Sequence, residues 1–212
     1  MSLFDRLIGS RQTPPPSPHE RSRAQRQAAL GDSDSAHLAA RLMRAPTALM
    51  QLGEAEALTV VGFMQPKWFD AGTTIIRQGD HTNTGFMVLI LEGEVTVETV
   101  MASRTQPRTL TVLGPGSLIG EMALVAGGAR SASCVATSAL KCAVLTREAL
   151  EALTREQPTT AAKLMTAVAQ RLAERLRESD HKLEIYSKLV QTMQEEIDKL
   201  MPTPDKRKAG PG

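Results

Sequence analysis

The sequence predicts a mainly β fold flanked by helices. From Pro66 to Thr146 short apolar runs are punctuated by glycines at 72, 79, 85, 93, 114 and 116, the pattern of a sandwich or small barrel. On both sides the apolar period lengthens to that of a helix. Two hundred and twelve residues, 42% of them hydrophobic, allow one full domain with extra segments.

Residues 1–34 carry Pro14, Pro15, Pro16 and Pro18 among Ser, Arg and Gln with no sustained period, which predicts a disordered tail. Within it Leu3, Phe4, Leu7 and Ile8 have the spacing of one helical face, readable as a docking peptide or as a frayed terminus. Over 35–64, Leu38, Leu42, Leu49, Leu52, Leu58, Val61 and Met64 give helical spacing broken by Pro46 and Gly53, so two or three short helices are expected. The strand runs are Thr73–Ile76, Phe86–Leu91, Val95–Val100, Leu110–Leu113, Ala132–Ala136 and Leu140–Leu145. Gln157-Pro158-Thr159-Thr160 reads as the end of one helix and the capped start of another.

That last helix keeps two apolar columns. One holds Ala169, Leu176, Leu183, Val190 and Ile197; the other holds Met165, Leu172, Ser179, Tyr186, Met193 and Leu200. The alternation of three and four residues predicts a dimerising coiled coil over 158–201, with a tail at 202–212. Seven basic and seven acidic side chains between 159 and 201 suit a solvated exterior and not a DNA-gripping basic region.

Composition excludes several functions. The formal charge of +2 names no nucleic-acid or membrane-surface partner. With aromatic residues at 3%, a base-stacking platform is not expected. The longest apolar run, Phe86–Leu91, falls far short of the ~20 residues that cross a bilayer. No secretory signal is visible, and a cytoplasmic location is expected. Cys134 and Cys142 sit among apolar or small residues and read as core. The four histidines, His19, His37, His81 and His181, are scattered, so no metal site is expected. Ser131 has no histidine nearby to activate it, and the chain is read as no enzyme.

The chemistry concentrates in Gly114-Pro115-Gly116-Ser117-Leu118-Ile119-Gly120-Glu121-Met122-Ala123-Leu124, followed by Arg130-Ser131-Ala132. A glycine turn opening a short helix leaves backbone N–H groups unpaired at the positive end of the macrodipole, a setting for an anion such as a phosphate. Gly120 would let a ligand approach without a Cβ in the way. Like charge keeps Glu121 from the phosphate, so it is assigned to accept from hydroxyls such as a ribose 2′-OH. Arg130 supplies a planar cation that matches two phosphate oxygens. Together these describe a cyclic nucleotide.

Gly120-Glu121-Met122-Ala123-Leu124 with Arg130-Ser131-Ala132 resembles the phosphate-binding cassette of the cyclic-nucleotide-binding domain family, which includes the catabolite activator protein and the regulatory parts of cyclic-nucleotide-dependent kinases. The likeness extends to Gly72, Ile75, Gly79, Gly93, Glu94, Val95, Leu113, Gly114 and Gly116. Ile119 stands where Phe is common, and Ala129 where Pro often precedes the arginine. The resemblance implies an eight-stranded, jelly-roll-like β-roll over 35–157 with flanking helices, the phosphate on Arg130 and the ribose hydroxyl on Glu121. It places Gly120, Glu121, Met122, Ala123, Arg130, Ser131, Ala132, Thr111 and Arg175 at the ligand.

The base is read less directly. Ser131 follows the phosphate arginine as in cyclic-GMP kinase domains and also in the catabolite activator. Thr111 stands where those kinase domains place an arginine. Alignment through Pro158, Leu164, Ala169, Arg171 and Leu172 puts Arg175 where the catabolite activator presents a hydroxyl to adenine. Arginine only donates, which favours guanine O6 and N7 and hence cyclic GMP over cyclic AMP. Arg175 also precedes Asp180 by five residues, the spacing of an interchain ion pair in a parallel coiled coil. The sequence thus reads as a cytoplasmic cyclic GMP or cyclic AMP sensor that relays occupancy through a homodimer helix to an effector protein. Only 202–212 follow the helix, so direct DNA binding is not expected. Alternative readings are a regulator of the catabolite-activator type acting indirectly on gene expression, or a degenerate domain serving as a scaffold without ligand.

Overall fold

A computed structural model of the protein describes residues 34–99 and 108–200. The docking-peptide reading of Leu3–Ile8, most of the expected tail at 1–34, Val100 of the third run and the tail at 202–212 lie outside the described residues.

Helix α1 (Asp34–Met43) buries Ala36, Ala39, Ala40 and Met43, the one-face spacing of an amphipathic helix. The chain turns before Pro46, which lacks the N–H a continuing helix needs. Helix α2 (Glu54–Val61) starts after Gly53 in extended conformation, with Glu54 and Glu56 in its first turn, where acids complement the positive end of the helix dipole. Thr47 Oγ1 donates to the Gly116 carbonyl at 2.7 Å, tying this helical segment to the turn that leads into the cassette.

Eight strands follow among the described residues: β1 (Gln65–Phe69), β2 (Thr74–Ile76), β3 (Phe86–Glu92), β4 (Val95–Thr99), β5 (Arg108–Leu113), β6 (Leu118–Ile119), β7 (Ser133–Ala136) and β8 (Leu140–Thr146). They form two four-stranded sheets, ordered β1-β8-β3-β6 and β2-β7-β4-β5, antiparallel throughout. Ile76, Val88, Ile90, Val95, Ile119, Cys134, Ala136, Leu140, Cys142 and Val144 form the core cluster. Strand β3 is buried from Met87 to Leu91. It reads as an unbroken apolar run because β8 and β6 flank it while α1 and the cassette helix α3 (Glu121–Ala126) pack on it. Strands β1 and β6 escape the sequence reading. The first holds Pro66 and is almost wholly exposed; the second has two residues, too few to show a period.

Helix α4 (Arg147–Glu156) is capped by Thr146, whose hydroxyl accepts from the Ala149 amide at 3.2 Å. Helix α5 (Pro158–Leu200) begins on its proline, the first-turn position where a missing N–H costs nothing. The chain divides into two compact units, one ending at Ala167 and one beginning at Val168. The first turns of α5, with Ala161, Leu164 and Ala167 buried, therefore belong to the first unit. Its later turns expose Leu176, Leu183, Tyr186, Val190, Met193, Ile197 and Leu200.

Neither cysteine is in a disulfide, and both are buried. Burial pushes the Cys142 thiol up to about 11, with Lys67 opposing the shift, so almost no thiolate exists near neutral pH. Iodoacetamide at pH 8, followed by mass spectrometry, should leave Cys142 unmodified in the native protein and modify it after denaturation; rapid native labelling would contradict this burial.

Candidate functional site

The cassette is built around a buried cation. Arg130 is 3% exposed and precedes β7. Its Nε donates to the Asn83 carbonyl at 3.3 Å, and its Nη2 to the carbonyls of Asn83 at 3.0 Å and Phe86 at 3.1 Å. Nη1 donates to the Gly120 carbonyl at 3.0 Å. The guanidinium also lies over the Phe86 ring, 4.4 Å from its centroid, a favourable placement for a cation. Burial pushes the Arg130 pKa down, while Cys134, Asp80 and Glu121 act in the opposite sense. The group stays protonated, as arginine does in proteins.

The loop between β2 and β3 closes over this side chain. The Arg130 amide donates to the Asp80 carbonyl at 3.0 Å, and Gly79 donates to the Arg130 carbonyl at 2.9 Å. The Asp80 carboxylate accepts from the Thr82 amide and hydroxyl, both at 2.8 Å, and from the Asn83 amide at 3.3 Å. Those bonds hold its carboxyl below the usual carboxylate range, with a smaller contribution from Arg130. Asp80 thus shapes the turn that delivers the Asn83 carbonyl to the arginine.

Gly120 stands at the start of α3 with φ +81°, a conformation that disfavours side chains. A Cβ there would sit 2.7 Å from Arg130 Nη1 and 3.0 Å from the Phe86 carbonyl. The sequence reading reserved this Cβ-free face for a ligand; in the structure the chain's own guanidinium occupies it. Glu121 follows, 3% exposed. Ala123 is buried, and its carbonyl accepts from the Gly127 amide at 3.0 Å and from Arg147 Nη2 at 3.3 Å. A cation is thereby placed where helix carbonyls are left over. Met122 is exposed on the outer face of α3.

The remaining candidates are spread more widely. Ser131 is exposed and Ala132 half-buried at the approach to β7. Thr111 pairs with Val97, which pairs with Cys134 on its other side. Thr111 therefore shares a row with the buried Cys134 while remaining exposed itself, at an open edge of the sheet's inner face. Arg175 is exposed on α5 within the second unit. The structure thus gathers Gly120, Glu121 and Arg130. The sequence reading missed Asp80, Asn83, Phe86 and Arg147. Asp80-His81-Thr82-Asn83 carries the signature of a side-chain-capped turn, but nothing local says which cation the turn serves. Among the described residues no group of three or more His, Cys, Asp or Glu is placed to hold a metal.

Residues 66–157 match the family model described as the cyclic nucleotide-binding domain. The chain is 37% identical over 136 residues to the cyclic AMP receptor protein of Thermus thermophilus, covering 64% of this chain and 60% of that one. It is 29% identical over 107 residues to human cGMP-dependent protein kinase 2, covering 50% of this chain and 14% of the kinase. The crystal structure of a cyclic nucleotide-binding domain from Methylobacillus flagellatus superposes with a TM-score of 0.61 at 27% identity, covering 72% of this chain and 84% of that one. The chain thus spans under two thirds of both named relatives.

Two stability measurements test the cassette without any ligand. Removing the Arg130 side chain takes a hydrogen-bond donor from three carbonyls, of which Gly120 keeps the Leu124 amide at 3.3 Å, so Arg130→Ala should lose about 2–4 kcal/mol in urea denaturation. Gly120→Ala should lose about 1–2 kcal/mol from its backbone conformation alone. Wild-type stability in either variant would contradict the packing described. Asp80→Ala tests the loop by pH. A carboxyl with a depressed folded pKa stabilises above its unfolded pKa, and that contribution is lost as pH falls through the folded value. The variant should be less stable than wild type at neutral pH, and the two should converge in strong acid.

Proposed function

We propose, on the premise that residues 66–157 are a domain of the cyclic nucleotide-binding family, that this chain is a cytoplasmic sensor of a 3′,5′-cyclic nucleotide. The observation that carries the reading is the gathering of Gly120, Glu121 and Arg130 at the start of α3, with both charged side chains 3% exposed. Arg130 would hold the cyclic phosphate and Glu121 the ribose 2′-OH, while the first-turn amides of α3 have no carbonyl partner earlier in the helix. A guanidinium has five N–H donors, and four bonds to backbone carbonyls are already made. A bidentate phosphate therefore exchanges at least one of them, so binding alters what holds the loop of Asp80–Asn83.

The relatives' names include both cyclic AMP and cyclic GMP, and either is carried as the ligand here. Met122, Ala123, Ser131 and Ala132 would line the phosphate and sugar. Thr111 would face the base, and the preference for guanine rests on the sequence position of Arg175. The exposed apolar columns of α5 support a homodimer through this helix, and an effector protein would read the dimer. No winged helix-turn-helix stands among the described residues, and none of the described helices is long and apolar enough to cross a membrane.

The ribose assignment is tested by calorimetry with cyclic GMP, cyclic AMP and their 2′-deoxy analogues. Loss of one hydrogen bond to a charged acceptor should weaken the deoxy analogue about tenfold against wild type. The difference should vanish in Glu121→Ala. Thermal denaturation at a hundred times the dissociation constant should show about 2.7 kcal/mol of added stability. Failure of every cyclic nucleotide to bind the wild type would overturn the reading and leave the scaffold alternative.

A further inference from the structure

Two arginines join the same pair of segments. Arg130 reaches the Phe86 carbonyl at 3.1 Å and the Gly120 carbonyl at 3.0 Å, which ties the start of β3 to the turn into α3. Arg147 ties them a second time, its backbone amide donating to the Gly85 carbonyl at 2.6 Å and its Nη2 to the Ala123 carbonyl at 3.3 Å. A Cβ at position 85 would lie 3.4 Å from Arg147 Cβ and 3.6 Å from its Nε. The arginine side chain therefore crosses directly over a glycine on its way to α3.

We propose that Arg147 is a positioning residue of the nucleotide site, holding the far end of α3 in place while a bound phosphate draws Arg130 from the near end; this deepens the sensor reading above and rests on it. The two arginines differ in what competes for them. A phosphate at the start of α3 lies against the first-turn amides and takes donors from Arg130, which loosens its hold on at least one of Asn83, Phe86 and Gly120. Helix carbonyls point the other way, toward the negative end of the dipole. Arg147 thus meets Ala123 at the end of α3 that disfavours an anion, where the Gly127 amide binds the same carbonyl at 3.0 Å.

The site needs such an anchor because Glu121 and the first-turn amides ride on a helix of six residues, too short to hold its own shape in isolation. Leu124 packs α3 inward, but an apolar contact has no direction and tolerates a rotation that a hydrogen bond does not. The base from which Arg147 reaches is itself fixed. Thr146 pairs with Phe86 across β8 and β3, and its hydroxyl caps α4.

Calorimetry on the full chain with cyclic GMP, cyclic AMP and their 2′-deoxy analogues tests the assignment. Arg147→Met keeps the stem over Gly85 and removes every side-chain donor; it should bind the ribonucleotide about tenfold more weakly. Its preference for ribose over deoxyribose should fall toward one, because Glu121 is no longer held against the 2′-OH. Arg147→Lys restores one charged donor and should recover part of both. Wild-type affinity in Arg147→Met would overturn the proposal, and so would weaker binding with the ribose preference intact, the mark of a merely structural role. Amide exchange on the wild type needs no variant: the Gly127 amide should keep its protection when either nucleotide saturates the site, and its loss would show that the anchored end moves and overturn the anchor. A wild type that binds neither nucleotide would bring down the sensor reading together with the anchor, whereas the outcomes at Arg147 and Gly127 decide the anchor alone.

Discussion

A guanidinium can be buried only if its donors are met, and the first unit is organised around meeting those of Arg130. Taking a charge out of water costs several kcal/mol after relaxation, and the charges of Asp80 and Glu121 act against that cost. Three backbone carbonyls, from Asn83, Phe86 and Gly120, take four of its hydrogen bonds. Each carbonyl belongs to a different element: the β2–β3 loop, the start of β3 and the turn into α3. Moving any of the three moves the cation, and moving the cation releases all three. No buried side-chain nitrogen or oxygen among the described residues lacks a partner, as expected where unmet polar groups are costly.

The same constraint explains features otherwise easily read as ligand chemistry. Gly120 has positive φ and no room for a Cβ beside Arg130. Asp80 folds its loop by accepting three hydrogen bonds, which presents Asn83 to the arginine. Arg147 begins α4, and its backbone amide donates to Gly85 while its side chain holds Ala123 of α3. A nucleotide phosphate entering this arrangement competes with carbonyls of the protein itself, which gives binding a structural consequence in the proposed sensor.

The helix Pro158–Leu200 obeys two rules in turn. Its first turns bury Ala161 and Leu164 within the first unit. Beyond Val168 the apolar residues of its two columns from Leu176 onward are exposed, and a helix gains little from an apolar stripe with nothing to cover it. The sequence showed those columns plainly because a period of three and four survives for several heptads. It also showed strands β2, β3, β4, β5, β7 and β8, whose apolar runs are long enough to carry a pattern. It did not show β1, where Pro66 and exposed side chains disguise an edge strand, or β6, which owes its existence to pairing with Val88 and Leu89 of β3.

The cassette divides along the same line. Gly120, Glu121 and Arg130 were legible because a glycine turn, a helix start and a charged pair lie within eleven residues, where local chemistry constrains what they can do. Their partners were not: Asn83 and Phe86 reach Arg130 from more than forty positions away. By itself the sequence determined the class of fold, the apolar columns of the last helix and the residue types of the candidate site, all of which follow from local periodicity and side-chain chemistry. Only the tertiary structure decided that the arginine is buried, which carbonyls hold it and why Gly120 must be glycine, since buried hydrogen bonds are satisfied across the fold and not along the chain.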